Sequence, residues 1–434
     1  MPKLNTFSTL TSEQLAAARE LEQTPFYLYD EAQILKSCAA ALSMPNAFGL
    51  RVRYAMKANS SRRLLKIIDK AGLSIDASSF NEARRAVMAG ILPDKVQLTS
   101  QEVPQGEERE NLEHMMLAGL RYNVCSLRQL HLVGDFAARH GIPLSIRVHP
   151  GVGSGESASR NTGDKYCCFG VHRSDIPKAL EYAAQMGLRF TAVHDHIGSG
   201  GDPEVWRKNI DTMLGFVEEY FPDAEAVSFG GGLKEARLPG ETKADIEALG
   251  LYAKQQLTSF FERTGRKLTT EIEPGTFIMA NAGYIVTQVL DSKSTGTDGF
   301  DFVILDGGME VNARPLLYGS SHPFYVVGRD GSLRSSDFCL PEGELPEIVV
   351  AGRCCESGDC QTLNPGGGIN TRKMAQPQIG DSFVIGGAGA YCAAMTPFNY
   401  NSHIQAPEWL LRADGSLECI RRAQTLEQVV ANEL

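Results

Sequence analysis

The sequence predicts an α/β fold: a parallel (β/α)8 TIM-type barrel followed by a mostly β domain. Three observations carry that prediction. Short β-rich runs alternate with longer helical patterns from residue 50 to about 275. The chemically unusual residues recur at the C-terminal ends of those runs. The final third then changes to β-rich runs broken by Gly, Pro, Asp and Ser clusters.

In order, strands are expected at Arg51–Ala55, Leu73–Ala77, Lys95–Thr99, Leu120–Val124, Pro143–Val148, Arg189–His196, Ala224–Phe229 and Leu268–Glu273. Helical patterns lie between them at Arg62–Ala71, Asn81–Ala89, Leu127–His140, Ser174–Met186, Val205–Phe221 and Lys243–Arg263. Eight strands interleaved with helices match a closed barrel, although periodicity alone leaves a doubly wound open sheet as the alternative. Further β-rich runs follow at Tyr284–Ser292, Phe302–Leu305, Phe324–Val327, Ile348–Ala351 and Ser382–Ile385, with no long helical period until Glu408. Pro25–Tyr29 is also β-like and could pair with that second domain. The barrel is therefore assigned to residues 31–285. Residues 286–434, joined by residues 1–30, are assigned to a β-sandwich or β-barrel-like domain that completes the active site.

At 434 residues the chain exceeds one ordinary core, and 43% hydrophobic with 22% charged residues is the composition of a globular enzyme. A net charge of -10 argues against nucleic acid or an anionic membrane as partner. No apolar run reaches the roughly 20 residues of a spanning helix, and Met1–Glu22 lacks the pattern of a secretory signal. The ten cysteines show no paired zinc spacing, so no metal is expected and a reduced, cytoplasmic setting is.

The strand ends carry the chemistry. Lys57 follows the first strand, where lost solvation would favour the neutral, nucleophilic amine of a Schiff base. Asp76 ends the second strand. The sixth ends at His194-Asp195-His196 and runs on to Ser199, the seventh at Gly230-Gly231-Gly232, and the eighth at Glu273-Pro274-Gly275. Without a Cβ, the glycine run lets backbone N–H groups approach an anion, at the position where such barrels bind phosphate. A tight turn would leave the same trace. His196 could lie against a flat cofactor or be a satisfied core histidine; with His194 it lacks a third ligand for a metal. Glu273 could pair with a ring nitrogen or form a structural ion pair. A phosphate, a planar ring, a Schiff-base lysine and a carboxylate on a ring nitrogen together describe pyridoxal 5'-phosphate.

With these motifs the chain resembles the fold-type III pyridoxal-phosphate decarboxylases, which share the alanine racemase-like fold. The resemblance runs from about Pro25 to Leu410. It is carried by Tyr54-Ala55-Met56-Lys57-Ala58-Asn59, His196-Ile197-Gly198-Ser199, Gly230-Gly231-Gly232, Glu273-Pro274-Gly275, Arg314-Pro315-Leu316-Leu317-Tyr318-Gly319, Cys355-Glu356-Ser357-Gly358-Asp359, Gly389-Ala390-Tyr391 and Asn399-Tyr400-Asn401. It implies that Lys57 holds the cofactor aldehyde, that His196 stacks on the ring and that Glu273 holds the pyridine nitrogen. Ser199, Gly230, Gly231 and Gly232 would bind phosphate, with Asp76, Gly275 and Tyr391 also at the cofactor. It further implies a homodimer with shared active sites, in which Cys355 donates a proton to the partner's site and Glu356 reads the amine at the reacting end. Arg314, Tyr318, Tyr391 and Thr276 would complete the substrate contacts.

The implied reaction is decarboxylation of an amino acid, first of all meso-diaminopimelate to L-lysine in lysine biosynthesis. Four positions depart from the family pattern. Thr276 stands where arginine usually serves the phosphate or the distal carboxylate, Gly200 for glutamine, Cys168 for lysine and Arg353 for proline. Thr276 keeps open a relative acting on carboxynorspermidine, a D-amino acid, or a carrier-linked or siderophore precursor. A racemase or a cofactor-binding regulator are further readings, against which the Cys355-Glu356-Ser357 motif stands.

Overall fold

The computed structural model describes residues 10–155 and 162–434, so the first nine residues of the 1–30 segment assigned to the β domain lie outside it. The chain separates into two compact units. One takes residues 37–234 and 243–278; the other takes the chain up to Lys36, Glu235–Thr242 and Met279–Leu434.

The first unit is a closed parallel barrel. Its strands, numbered after an earlier β1 (Phe26–Asp30), are β2 (Leu50–Ala55), β3 (Ser74–Ala77), β4 (Val96–Leu98), β5 (Arg121–Val124), β6 (Leu144–Arg147), β7 (Phe190–His194), β8 (Ala226–Ser228) and β9 (Thr269–Ile272). Strand β9 pairs back on β2 with Leu50 opposite Thr270, and this closure rules out the open sheet. The expected barrel strands are all present: the first begins one residue earlier than expected, at Leu50, and the others are trimmed by one or two residues. Two helices begin on a side-chain cap directly after a strand: Ser79 accepts from Glu82 N and Ser126 from Gln129 N. These caps set short, polar strand-to-helix turns, and so leave the strand ends open for chemistry. The helices Glu31–Leu42 and Glu107–Leu117 have no counterpart among the expected helical patterns; on the second only Leu112 and Met116 are buried, too few to mark a helical period.

The second unit is built on β1 and nine further strands: β10 (Gly283–Ser294), β11 (Asp301–Leu305), β12 (Phe324–Val327), β13 (Leu333–Ser336), β14 (Glu347–Ala351), β15 (Arg372–Lys373), β16 (Ser382–Ile385), β17 (Glu408–Leu411) and β18 (Leu417–Arg421). The main path runs β13-β12-β16-β10-β1-β17-β18, and β10 also carries β11, which leads to β14 and β15. The β-like segment near Tyr29 is thus an internal strand, antiparallel to β10 and parallel to β17. Its core gathers Leu15, Phe26, Leu28, Tyr284, Val286, Tyr325 and Val384.

The expectation of helical period from Glu408 is corrected. Glu408–Leu411 is a strand whose Tyr27↔Glu408 register joins it to β1, and helix returns only at Leu426–Val429. A four-residue run between Pro407 and the Asp414-Gly415 turn is too short for a period to declare itself. Pairing with a distant strand decides it.

Candidate active site

Inside the barrel a polar chain runs up the axis. Burial alone would raise the Glu271 carboxyl, but Arg53, Arg121 and Arg51 hold it far below the usual range. Arg53 lies 3.3 Å from it, with both side chains 1% exposed. Arg121 bridges upward: its Nη1 reaches Glu271 Oε1 at 2.9 Å and its Nε donates to Gln97 Oε1 at 2.7 Å. Gln97 then donates from Nε2 to Glu273 Oε1 at 2.9 Å. The other Glu273 oxygen pairs with His194 Nε2 at 2.9 Å.

Glu273 is buried, yet ionised. Burial would raise its carboxyl, but His194, Lys57 and Arg147 together hold it below the ordinary carboxylate value. Its neighbour Asp76 goes the other way. Burial and the Glu273 charge push Asp76 up to about 8, only partly opposed by Lys57 and by the Thr99 hydroxyl, which donates to Asp76 Oδ1 at 2.8 Å. Two carboxyls in one dry site cannot both ionise, and here the charge settles on Glu273.

The glycine run forms a cradle beside His196. Gly231 N donates to His196 Nδ1 at 2.9 Å, so the imidazole accepts there and carries its proton on Nε2. Burial, with Lys57 and Arg147 nearby, holds His196 far below the usual imidazole range, so the ring is neutral. A Cβ on Gly230 would stand 2.3 Å from Asp195 O, and one on Gly231 would stand 2.8 Å from His196 Cε1. The run must therefore be glycine where it meets the His196 ring. Ser199 is half-buried in the turn that follows.

Lys57 differs from expectation. It lies in a short 3-10 turn, Met56–Ala58, after β2, and its side chain is exposed, so the desolvation argued from a buried strand does not apply. Its ammonium still acts on Asp76, Glu82, Glu273 and His196. Lys57, Asp76, His196, Gly230–Gly232 and Glu273 thus gather at one end of the barrel. Gly275 and Thr276 follow directly, with Thr276 half-buried at the first residue of the helix Thr276–Met279.

The remaining expected residues belong to the β unit. Cys355 and Glu356 are exposed. Their loop is held from inside by Asp359, whose Oδ2 accepts from Cys354 N at 2.7 Å and whose Oδ1 accepts from Met309 N at 2.6 Å. Asn401 Oδ1 accepts from Cys355 N at 2.8 Å. Hydrogen bonds from Gly358 N–H, Ser357 and Tyr400 lower the Glu356 carboxyl, so it is ionised. Arg314 is buried, Tyr318 donates to Met395 Sδ at 3.7 Å, and Tyr391 adopts a left-handed backbone with φ of 60°. Among the described residues, Glu310, Cys354 and His403 bring ligand atoms within 4.8 Å of one another. Arg353 already pairs with Glu310 at 2.9 Å, and burial with the Glu310 and Asp359 charges disfavours the Cys354 thiolate a metal would need. Within it, Glu310 accepts from Cys354 Sγ at 3.4 Å.

Gln97 and Arg147 escaped the sequence reading. Gln97 is a lone polar residue between Val96 and Leu98, which was the only available sign; Arg147 ends β6, the same kind of position that drew attention to Lys57 and Glu273.

These residues fit pyridoxal phosphate. The glycine run packs its backbone against His196, His196 offers a neutral flat ring, Glu273 is an ionised buried carboxylate with lone pairs left over, and Lys57 offers an exposed amine. The comparisons agree. The family described as the pyridoxal-dependent decarboxylase, pyridoxal binding domain, matches residues 32–280, and the chain belongs to it. Across its whole length the likeness is to the diaminopimelate decarboxylases. The chain is 35% identical to that of Escherichia coli (strain K12), covering 99% of this chain and 98% of the relative. A crystal structure of diaminopimelate decarboxylase matches with TM-score 0.88 at 32% identity, covering 99% of this chain and 98% of that one. The enzyme from Helicobacter pylori complexed with L-lysine matches with TM-score 0.78 at 26% identity, covering 96% and 99%.

Proposed function

We propose that the chain decarboxylates meso-diaminopimelate to L-lysine. It is a pyridoxal-phosphate-dependent carboxy-lyase by family, and the observation that carries the reading is the ionised Glu273 buried beside the glycine cradle and His196. When bound, the cofactor's protonated ring supplies an electron sink for the pair left on the α-carbon as carbon dioxide departs.

The residues divide the remaining work. Lys57 holds the cofactor through its amine, and Gly230, Gly231, Gly232 and Ser199 take the phosphate. Glu273 keeps a proton on the ring nitrogen. Its two hydrogen bonds, from Gln97 and His194, fix its plane and sustain its charge. Neutral His196 covers a face of the ring without adding a competing cation. Asp76 and Gly275 line the cofactor, and Tyr391, Arg314, Tyr318 and Thr276 contact the substrate. Glu356, ionised and exposed, reads the ammonium at the reacting end. Cys355, exposed beside it, returns a proton to carbon.

Cys355 and Glu356 are exposed on the β unit, as residues that act in a neighbouring copy would be, and this supports a homodimer with shared sites. The ten cysteines are all free, in keeping with a cytoplasmic enzyme. No described helix is long and apolar enough to cross a membrane.

Thr276 favours a second reading, in which another amino acid is the substrate. Carbon dioxide release across meso-diaminopimelate, carboxynorspermidine and D-amino acids decides between them. Turnover of another acid with none of meso-diaminopimelate would sink the first reading. Purified protein is expected to show the yellow absorbance of bound cofactor, and Lys57→Ala to lose it.

A further inference from the structure

Cys354 and Cys355 are neighbours in the chain but not in environment. Cys355 is exposed, whereas Cys354 is buried, at 8% exposure. A second segment of the same β unit, residues 307–312, makes the difference. Cys354 Sγ donates to Glu310 Oε2 at 3.4 Å, and Arg353 Nε donates to Glu310 Oε1 at 2.9 Å. Gly308 N donates to the same Oε2 at 2.8 Å, which fixes the plane of the carboxylate. Asp359 holds the far end of the loop, accepting from Cys354 N at 2.7 Å and from Met309 N at 2.6 Å. Beyond it, Asn312 Nδ2 donates to Gln361 Oε1 at 2.9 Å, and Gln361 Nε2 returns a bond to Asn312 O at 3.3 Å. The two backbones lie so close that a Cβ on Gly352 would stand 2.4 Å from Gly308 Cα, an approach only glycine admits.

Glu310 is where the two residues ahead of Cys355 are held by their side chains. Its own side chain is 4% exposed, and the partly exposed Arg353 covers it. A proline at position 353 would fix the backbone through its ring. The arginine instead ties it, by a charge-assisted hydrogen bond, to a carboxylate on another segment. Glu310 also separates the two thiols chemically. Burial, and then the Glu310 and Asp359 charges, push the Cys354 thiol far above its usual range. Such a thiol stays protonated and serves as a donor, since the thiolate is the nucleophile. Cys355, with its N–H on Asn401 Oδ1, stays outside that environment.

We propose that Glu310 is a positioning residue: with Arg353 it turns Cys354 inward as a fixed donor and presents Cys355 as the thiol of the pair that works on substrate. This rests on the role given to Cys355 in the function proposed above.

The test is alkylation of holoenzyme by iodoacetamide at pH 8, with the rate at each cysteine read by tandem mass spectrometry, beside kcat and KM for meso-diaminopimelate. Wild type should react at Cys355 at least about tenfold faster than at Cys354. Glu310→Gln keeps the bulk and removes the charge, so Cys354 labelling should rise about tenfold or more. In the same variant kcat should fall about 10- to 100-fold while KM changes less than about twofold, the mark of a displaced group rather than of lost binding. Arg353→Met should lower kcat likewise, and Arg353→Lys should recover part of it, since a point charge keeps the pair but not the fork. A merely structural Glu310 would lower the melting temperature and leave the labelling ratio of the folded protein as in wild type. That unchanged ratio, or an unchanged kcat in both Glu310→Gln and Arg353→Met, overturns the proposal. Labelling needs no substrate. If wild type released no carbon dioxide from meso-diaminopimelate while the ratio shifted, the proposed function would fall and the placing of the two thiols by Glu310 would stand.

Discussion

Asp76 and Glu273 show how one pair of side chains divides a charge. Both are buried, both touch Gln97, and only Glu273 has an imidazole partner. Asp76, near 8 in the fold against about 3.9 unfolded, binds more protons folded than unfolded between those values. Its contribution to stability is therefore present at low pH and lost as pH rises from about 4 through 8. Urea unfolding of the protein at pH 5 and pH 8 should show that fall, and Asp76→Asn should flatten it. An unchanged slope in the variant would mean that Asp76 is ionised in the folded state. Removing the charge instead, as in Glu273→Gln, is expected to lower kcat by about 10²- to 10³-fold, the loss typical of one preorganised electrostatic contact. Steady-state kinetics at saturating cofactor check it.

At the scale of elements, the glycine cradle and the axial polar chain make separate predictions. Gly231→Ala sets a methyl group against His196 Cε1 and Glu273 O, each 2.8 Å from the new carbon. The variant should fold with the wild-type circular dichroism but bind cofactor at least about tenfold more weakly, since the phosphate amides move with the backbone. Equal cofactor affinity would remove the cradle from the site. Lower in the barrel, Glu271 neutralises Arg53, which is 1% exposed. Glu271→Gln leaves that cation buried, and should cost about 3–5 kcal/mol in the urea midpoint analysis. A loss under about 1 kcal/mol would show that Arg53 finds another partner or water.

At the scale of the molecule, the proposed residues fall in two units: Lys57, His196 and Glu273 in the barrel, Cys355 and Glu356 in an exposed loop of the β unit. If each site draws on two copies, Lys57→Ala and Cys355→Ala should each be inactive alone yet regain activity when unfolded together and refolded as mixed dimers. Equilibrium sedimentation gives the dimer, and carbon dioxide release gives the complementation. Mixed dimers without activity would return Cys355 to its own subunit's chemistry.

The sequence by itself determined the alternation of strands and helices, the change to a β-rich final third and the unusual residues at the strand ends; the closure of the barrel was decided by the pairing of β9 with β2. Strand alternation and unusual residues at strand ends are local signals, set by the chain's own periodicity and turn chemistry. What it did not determine was decided by contacts between residues far apart in the chain. The strand at Glu408, the Gln97 bridge from Arg121 to Glu273, and the burial of Arg237 against Gly387 each depend on a partner tens or hundreds of positions away. No window of neighbouring residues contains such a partner, so only the folded chain, which brings them within hydrogen-bond reach, fixes those features.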